Sequence, residues 1–364
     1  MVLLLVSCTP TTIPPTVTPT LTETITPTAT YTVTLEPTIT LTAVPATLTA
    51  TRTATPTDTK TATPTKTRTA TPTFTPTPDG IFISGQDITG IGIIIASESE
   101  QGCVVENNFI HDVGGYGIQL MPSSSNCVIR NNIIVRARNA GIFVSGQNHI
   151  IENNDVSKTI QPYPHSAGGD ADCMRFFGSN HTFVSNYCHD IYSDGVLVTD
   201  AHIDGFQTWN WVSMGGAGHD ILFENNTMMF QRGGKIWQVE GGHNLTMKNN
   251  VTLAIQTVLI IDGSNISFID NTFVGTGVRS DGFHLLRTNL TMQGNIFAHQ
   301  QQRVIENLGN VTITASDNCY ADYGIMLPAN PGDVRTVDAM FVNELLFDFH
   351  LLDGSPCIGK GAFQ

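Results

Sequence analysis

The chain has 364 residues, with 17 Lys and Arg against 31 Asp and Glu, and a formal net charge of −14. Residues 1–79 carry four basic and four acidic side chains, so the whole net charge belongs to residues 80–364. This acidic balance argues against a nucleic-acid partner, because phosphate binding requires a basic surface.

The first eight residues, MVLLLVSC, end in a cysteine behind an apolar run. The string Leu5-Val6-Ser7-Cys8 resembles a bacterial lipobox, and this resemblance implies lipidation of Cys8. Only seven residues precede Cys8, and none is Lys or Arg, so either translation starts upstream or the match is accidental. No other segment approaches the length of a membrane span, so we expect membrane contact only through a lipid anchor.

Residues 9–79 consist almost entirely of Thr and Pro with Ala. This composition cannot bury a hydrophobic core and favours an extended, solvated chain. The sequence therefore predicts a disordered linker, a stalk, between the N-terminal cysteine and a folded domain at 80–364.

An asparagine recurs along the folded domain within short β-rich phrases such as VVENNFI and VIRNNII. Successive members are separated by 24, 22, 32, 40, 24, 21, 24 and 23 residues. The members are Asn108, Asn132, Asn154, Asn186, Asn226, Asn250, Asn271, Asn295 and Asn318. Such a period is typical of a solenoid that adds one coil per repeat.

Each phrase alternates apolar and polar residues, as a strand with one buried face requires. Asn, Asp and Gly punctuate the phrases, and these residues tolerate left-handed corners, where stacked Asn amides can hydrogen-bond along a column. On these features the chain resembles the pectate-lyase-like superfamily over roughly residues 80–364. The resemblance implies an all-β, right-handed parallel β-helix of about 9–11 coils. It implies little about activity, because this scaffold carries lyases, hydrolases, epimerases and adhesins.

Six cysteines lie in the repeat domain. Cys103 and Cys127 both precede the second Asn of their repeats by five residues, so we expect them to stack on adjacent coils. This stacking predicts that Cys103 and Cys127 are buried, unlinked members of a column of side chains, and a disulfide between them is the alternative. The cysteine spacings do not suggest a zinc site.

The two long intervals, 32 and 40 residues, mark insertions that emerge at the corners of a solenoid, where binding faces commonly lie. The second strand phrases of six coils, superposed without gaps on the residue that closes each strand, read AGIFVSG, DCMRFFG, DGFQTWN, KIWQVEG, TVLIIDG and DGFHLLR. This alignment predicts inward-facing side chains at Ile142, Val144, Met174, Phe176, Phe206, Thr208, Trp237, Val239, Leu259, Ile261, Phe283 and Leu285. It predicts an outward column of Phe143, Arg175, Gln207, Gln238, Ile260 and His284.

At the entry to these strands, the same alignment makes Asp172, Asp204 and Lys235 consecutive neighbours about 4.8 Å apart. We expect Asp172, Asp204, Lys235 and Arg175 to carry catalysis. The predicted substrate-binding residues are His202, Gln207, Trp209, Phe177, Gln238 and His284, with Trp211 as a further aromatic. The segment His202-Ile203-Asp204-Gly205-Phe206-Gln207 also resembles the His-x-Asp-Gly-x-Gln segments of polysaccharide-processing β-helices.

Two adjacent carboxylates must be compensated by a cation, a shared proton or a nearby lysine. Ca²⁺ held by Asp170, Asp172 and Asp204, beside a basic residue, would suit a uronate lyase. A carboxylate pair holding one proton would suit a glycoside hydrolase. As a further alternative, these polar side chains form only a solvated edge of the sheet and have no catalytic or binding role.

The sequence thus predicts a secreted or cell-surface β-helix protein with a polysaccharide partner. Among the possible functions, the sequence favours a polysaccharide lyase. The alternatives are a glycoside hydrolase that uses the Asp pair and a non-catalytic glycan-binding adhesin. The acidic domain argues against a polyanionic substrate unless Ca²⁺ bridges it.

Overall fold

The computed structural model describes residues 80–96, 102–159, 171–191, 203–230, 235–254, 256–276, 281–324 and 329–363. Backbone contacts divide the chain into a unit Met1–Thr73 and a unit Phe74–Gln364. The predicted stalk and Cys8 lie outside the described residues, as do Asp170 and His202.

Three parallel sheets wind around one core. The first contains β1 (Ile81–Ser84), β4 (Cys103–Glu106), β7 (Cys127–Arg130), β10 (Ile150–Glu152), β13 (Thr182–Val184), β16 (His219–Glu224), β19 (His243–Lys248) and β22 (Ser264–Ile269). The second has 11 strands, β2 (Asp87–Gly90), β5 (Phe109–Val113), β8 (Ile133–Val135), β11 (Asp155–Ser157), β14 (Tyr187–His189), β17 (Thr227–Met229), β20 (Val251–Ala254), β23 (Thr272–Gly275), β25 (Ile296–Ala298), β27 (Cys319–Ala321) and β28 (Val334–Thr336). One strand per coil makes this sheet agree with the predicted 9–11 coils.

The third sheet carries the predicted site. It contains β3 (Ile93–Ile95), β6 (Tyr116–Leu120), β9 (Ala140–Val144), β12 (Asp172–Phe176), β15 (Asp204–Thr208), β18 (Lys235–Glu240) and β21 (Gln256–Ile261). The long strands β24 (Asp281–Gln293) and β26 (Arg303–Ser316) run through both the third and the first sheet. A short antiparallel pair, β29 (Phe341–Asn343) and β30 (Asp348–Leu351), follows the last coil. The described residues include no helix long and apolar enough to cross a membrane.

The core is a continuous stack of inward side chains from all three sheets. Phe183 and Phe223 lie parallel with ring centroids 4.9 Å apart, and Phe206 stacks on Trp237 at 6.0 Å. All four side chains are completely buried. Burial of each large apolar side chain contributes about 1.5–3 kcal/mol, and ring pairs add roughly 0.5–1.5 kcal/mol. The solenoid is therefore held by contacts between successive coils.

The nine predicted asparagines form one buried ladder. In its middle, Asn226 accepts hydrogen bonds at Oδ1 from the backbone N–H of Asn186 (3.0 Å) and from its Nδ2 (2.9 Å). The Nδ2 of Asn226 donates to the carbonyl of Phe183 at 2.9 Å and to Oδ1 of Asn250 at 3.0 Å. The predicted amide ladder is confirmed. It continues across both long intervals, between Asn154 and Asn186 and between Asn186 and Asn226.

The predicted inward set is confirmed at β9, β12, β15, β18 and β24, where its members are completely buried. It is wrong at β21, because Gln238 pairs with Leu259 and Val239 with Ile260, one residue away from the predicted register. Val258 and Ile260 therefore face the core, while Leu259 and Ile261 belong to the outward set. A one-residue slip moves every side chain of a strand to the other face.

All six cysteines of the repeat domain form disulfides: Cys103–Cys127, Cys173–Cys188 and Cys319–Cys357. Cys103 and Cys127 are direct partners in the register of β4 and β7, which confirms that they stack. The bridge between them corrects the preferred interpretation of two unlinked ladder residues. Adjacent coils put the two Cα atoms 4.3 Å apart, just below the range of about 4.4–6.8 Å that is usual for a disulfide.

Candidate functional site

The two aspartates at the entry to β12 and β15 are neighbours, as the sequence predicts. The backbone N–H of Asp204 donates to Oδ1 of Asp172 at 3.0 Å, and Nε of Arg175 donates to Oδ2 of the same carboxylate at 2.5 Å. Both aspartates are completely buried. Asp172 is therefore compensated by Arg175 and by a backbone N–H, two of the interactions that favour a carboxylate in its charged form.

Arg175 lies on the outer side of the third sheet between two aromatic rings. Its guanidinium carbon is 5.7 Å from the ring centroid of Tyr116 and 5.7 Å from that of Trp209. Its Nη1 donates to the Tyr116 hydroxyl at 3.3 Å, and its Nη2 to the carbonyl of Asn139 at 3.4 Å. The small side chain of Ala140 occupies the strand position between Tyr116 and Asp172. With only 5% of its surface exposed, Arg175 is held as a fixed positive charge.

Lys235 follows Asp204 in the strand register, as predicted. Its Nζ donates to Oε1 of Gln238 at 2.5 Å, and Nε2 of Gln238 donates to Oε1 of Glu240 at 2.9 Å. Gln207 is the direct partner of both Arg175 and Gln238 in neighbouring strands. Lys235 and Glu240 are half-buried, so this row of side chains reaches solvent at both of its ends.

The aromatic residues divide into a covered pair and an accessible pair. Phe143 and Phe177 are completely buried, with ring centroids 5.2 Å apart. Trp209 and Trp211 stack on each other at 5.4 Å with an interplanar angle of 14°, and both are half-buried. Trp211 packs edge-on against both phenylalanines. The prediction that Phe177 contacts a sugar is therefore corrected, because the tryptophans cover it.

The segment after Trp211 folds back over the end of the third sheet. A turn of 3₁₀ helix spans Val212–Met214, and the carbonyl of Met214 accepts a hydrogen bond from Oγ of Ser145 at 2.5 Å. Gly215 and Gly216 adopt left-handed φ values of 98° and 79°. A Cβ at Gly215 would lie 3.3 Å from the Cα of Gly178, so glycine permits this close approach.

His284 lies apart from the other predicted residues. Leu259 separates it from Gln238 in the outward column, and its Nδ1 is 3.2 Å from Oε2 of Glu306. The structure therefore brings together Asp172, Asp204, Arg175, Lys235, Gln207, Gln238 and Trp209, and leaves His284 two coils away. Tyr116 is the residue that the sequence analysis missed. Its position at the start of β6, directly after Gly114-Gly115, was the available signal.

The carboxylate of Asp172 fits a calcium site poorly. Both oxygens of Asp172 already accept hydrogen bonds from Asp204 and Arg175. Ca²⁺ takes six to eight oxygen ligands, and a carboxylate paired with a guanidinium is a poor donor to it.

A family model described as "Right handed beta helix region" matches residues 71–171. The three parallel sheets and the asparagine ladder give the described residues a parallel β-helix fold, which agrees with this match. No curated protein matches the chain in amino-acid sequence.

Solved structures of similar fold include three proteins of different kinds. PfbA, a surface adhesin of Streptococcus pneumoniae, is 13% identical with a TM-score of 0.41, over 69% of this chain and 72% of that one. The Azotobacter vinelandii mannuronan C-5 epimerase AlgE6 A-module is 12% identical with a TM-score of 0.42, over 72% and 82%. XylC, solved with xylose, is 14% identical with a TM-score of 0.38, and the chain spans about half of its length, 52%. Similarity this distant carries no argument about chemistry.

Proposed function

We propose that the chain binds a polysaccharide across the outer surface of β12, β15 and β18 and cleaves it by elimination. The observation that carries this proposal is the accessible pair Trp209 and Trp211, stacked beside Arg175. Flat aromatic surfaces receive the apolar faces of sugar rings, and nearby amides and charges hydrogen-bond to hydroxyl and carboxylate groups. The row Lys235, Gln238 and Glu240 supplies such groups.

Elimination is favoured because the group that could act as the base, Lys235, is partly exposed to solvent. Lys235 is half-buried, whereas Asp172 and Asp204 are completely buried. In the proposed step, the neutral amine of Lys235 takes the proton from C5 of a uronate. The electron pair forms a double bond between C5 and C4, the bond from C4 to the glycosidic oxygen breaks, and that oxygen takes a proton from water.

Hydrolysis by the aspartate pair is less favoured. A glycoside hydrolase needs one carboxylic acid and one carboxylate that both contact the glycosidic bond or its attacking water. Asp172 is already ion-paired with Arg175, and neither aspartate is exposed. The same burial supports a second candidate function, a surface adhesin that binds the glycan without cleaving it.

A glycan panel distinguishes these functions. The full chain is incubated with uronate-containing and neutral polysaccharides, and the products are measured for new reducing ends and for the ultraviolet absorbance of unsaturated uronates. An elimination gives both signals, a hydrolysis only the first, and an adhesin neither while still retaining the glycan on an affinity gel. Trp209→Ala should reduce retention under all three functions. Unchanged retention of every glycan by this variant would contradict the proposed binding surface.

We further propose that the protein acts outside the cell, attached through Cys8. Three disulfides support export, because such bonds persist in oxidising compartments. A diacylglyceryl group supplies the two chains that stable attachment needs. In the native host, Cys8→Ser should move the protein from the membrane fraction to the medium. Unchanged fractionation would remove the anchor from the proposal and leave the glycan site untouched.

A further inference from the structure

Two histidines and an aspartate meet at the corner that opens the first sheet. His219 and His243 are direct partners at the starts of β16 and β19, with ring centroids 4.6 Å apart and an interplanar angle of 5°. Asp220 Oδ2 lies 2.7 Å from Nδ1 of His219. Each of the three residues offers one ligand atom, and these atoms all lie within 4.8 Å of one another.

The same corner in other coils shows what is unusual here. Among the described residues, the register places Ser125, Gln147, Ser179, Ser264, Thr288 and Val311 at this position in other coils, and histidine only at 219 and 243. At the residue that follows each of these positions, aspartate occurs only at 220, whereas 126, 148, 180, 244 and 265 are asparagines with a left-handed backbone. The fold itself therefore requires neither imidazole nor carboxylate at this corner.

The left-handed backbone aims the carboxylate. Asp220 has a φ of 56°, and Nδ2 of Asn244 in the next coil donates to its Oδ1 at 2.8 Å. This bond orients one oxygen and leaves Oδ2 facing the His219 ring. The side chains of His219 and Asp220 are 32% and 43% exposed, so an ion can enter from solvent.

We propose that His219, Asp220 and His243 bind one divalent transition-metal ion of the zinc class. Two imidazoles and a carboxylate are the ligands that Zn²⁺ prefers, with bonds of about 2.0–2.2 Å. Ligand atoms around a tetrahedral ion lie about 3.4 Å apart, so small side-chain rotations close the site. The fourth position is left to water. This site is independent of the proposed glycan function.

The test uses the full chain, without a polyhistidine tag and stripped with EDTA, titrated with Zn²⁺ in a calorimeter. We expect one equivalent to bind at the site. Three variants carry the residues that other coils use: His219→Ser, His243→Ser and Asp220→Asn. Each should weaken zinc binding by roughly 10–100-fold or more, because loss of a direct ligand costs no less than loss of a supporting residue.

His111→Asn is the matched control. His111 also lies between two carboxylates, Asp87 and Asp112, but has no histidine neighbour at that corner. This variant should bind zinc like the original chain. Because each test residue is native to another coil, circular dichroism should be unchanged, and Asp220→Asn alone suffices if a serine variant fails to fold. Absence of saturable zinc binding, or equal binding by Asp220→Asn and the original chain, would overturn the proposal.

Discussion

The backbone N–H of Asp204 donates a hydrogen bond to Oδ1 of Asp172 one coil earlier, at 3.0 Å. Stacking two aspartates in a parallel column suggests that their carboxylates repel each other. Instead, the carboxylate of Asp172 accepts hydrogen bonds from the backbone N–H of Asp204 and from Nε of Arg175. The column is thus a hydrogen-bonded joint between coils.

The ion pair of Asp172 and Arg175 should contribute strongly to stability. Side-chain exposure is 0% and 6%, so removing one partner leaves a buried charge without its main compensation. We expect Arg175→Met to lower the free energy of unfolding by about 3–5 kcal/mol. Asp172→Asn combined with Arg175→Met should cost less than the sum of the two single changes. Denaturant unfolding of all four proteins measures this coupling, and additive losses would contradict it.

Lys235 should be required for turnover. Loss of a general base typically reduces the rate by about 10²–10⁴-fold, so Lys235→Ala should do so on whichever glycan is cleaved. The control is Lys248→Ala, because Lys248 is a surface lysine of the first sheet, 3.5 Å from Glu224 and away from the proposed glycan site. Both variants should keep the melting temperature of the original chain. Near-normal turnover by Lys235→Ala would rule out Lys235 as the base.

The buried ladder should be costly to interrupt. Asn226→Ala removes an amide that makes four hydrogen bonds and leaves buried groups of Asn186 and Phe183 without partners. We expect a loss of about 3 kcal/mol in the free energy of unfolding. The exposed Asn265 has a left-handed backbone, which glycine also adopts. Asn265→Gly should therefore cost below about 1 kcal/mol, and equal losses in denaturant unfolding would refute the ladder's special role.

Stability should fall as the pH drops from 6.5 towards 4. Burial lowers the pKa of His149 to about 4 and that of His181 to about 3, with the neighbouring His149 and His219 also lowering the latter. In this range the unfolded chain binds protons at these histidines and the folded chain does not. The free energy of unfolding should therefore decrease by about 1.4 kcal/mol per pH unit for each histidine.

The double variant His149→Gln, His181→Gln tests this slope by denaturant unfolding at several pH values. It should flatten the dependence between pH 4 and 6.5, whereas the exposed His350→Gln should not. His111, His189 and His299 have raised pKa values, from hydrogen bonds to carboxylates, and affect stability above this range. A slope unchanged in the double variant would contradict the assignment.

The sequence predicted the solenoid because one asparagine per coil is a strong periodic signal, and it predicted Asp204 beside Lys235 because both begin alternating strands. It failed at β21 for a physical reason. Val258, Leu259, Ile260 and Ile261 are all apolar, so alternation cannot say which face is buried. The burial of Phe177 could not be predicted from the sequence either, because Trp211, which covers it, lies in a segment outside the strand pattern.

The ladder bonds have a further consequence for the two long intervals. Asn154 and Asn186, 32 residues apart, are joined by an Nδ2 to Oδ1 bond of 3.0 Å, the same length as between Asn226 and Asn250, which are 24 apart. The length of the hydrogen bond between the two asparagines therefore does not depend on how many residues separate them in the sequence. We therefore expect that the number of residues between Asn154 and Asn186 can be changed without breaking the hydrogen bond that joins their two coils.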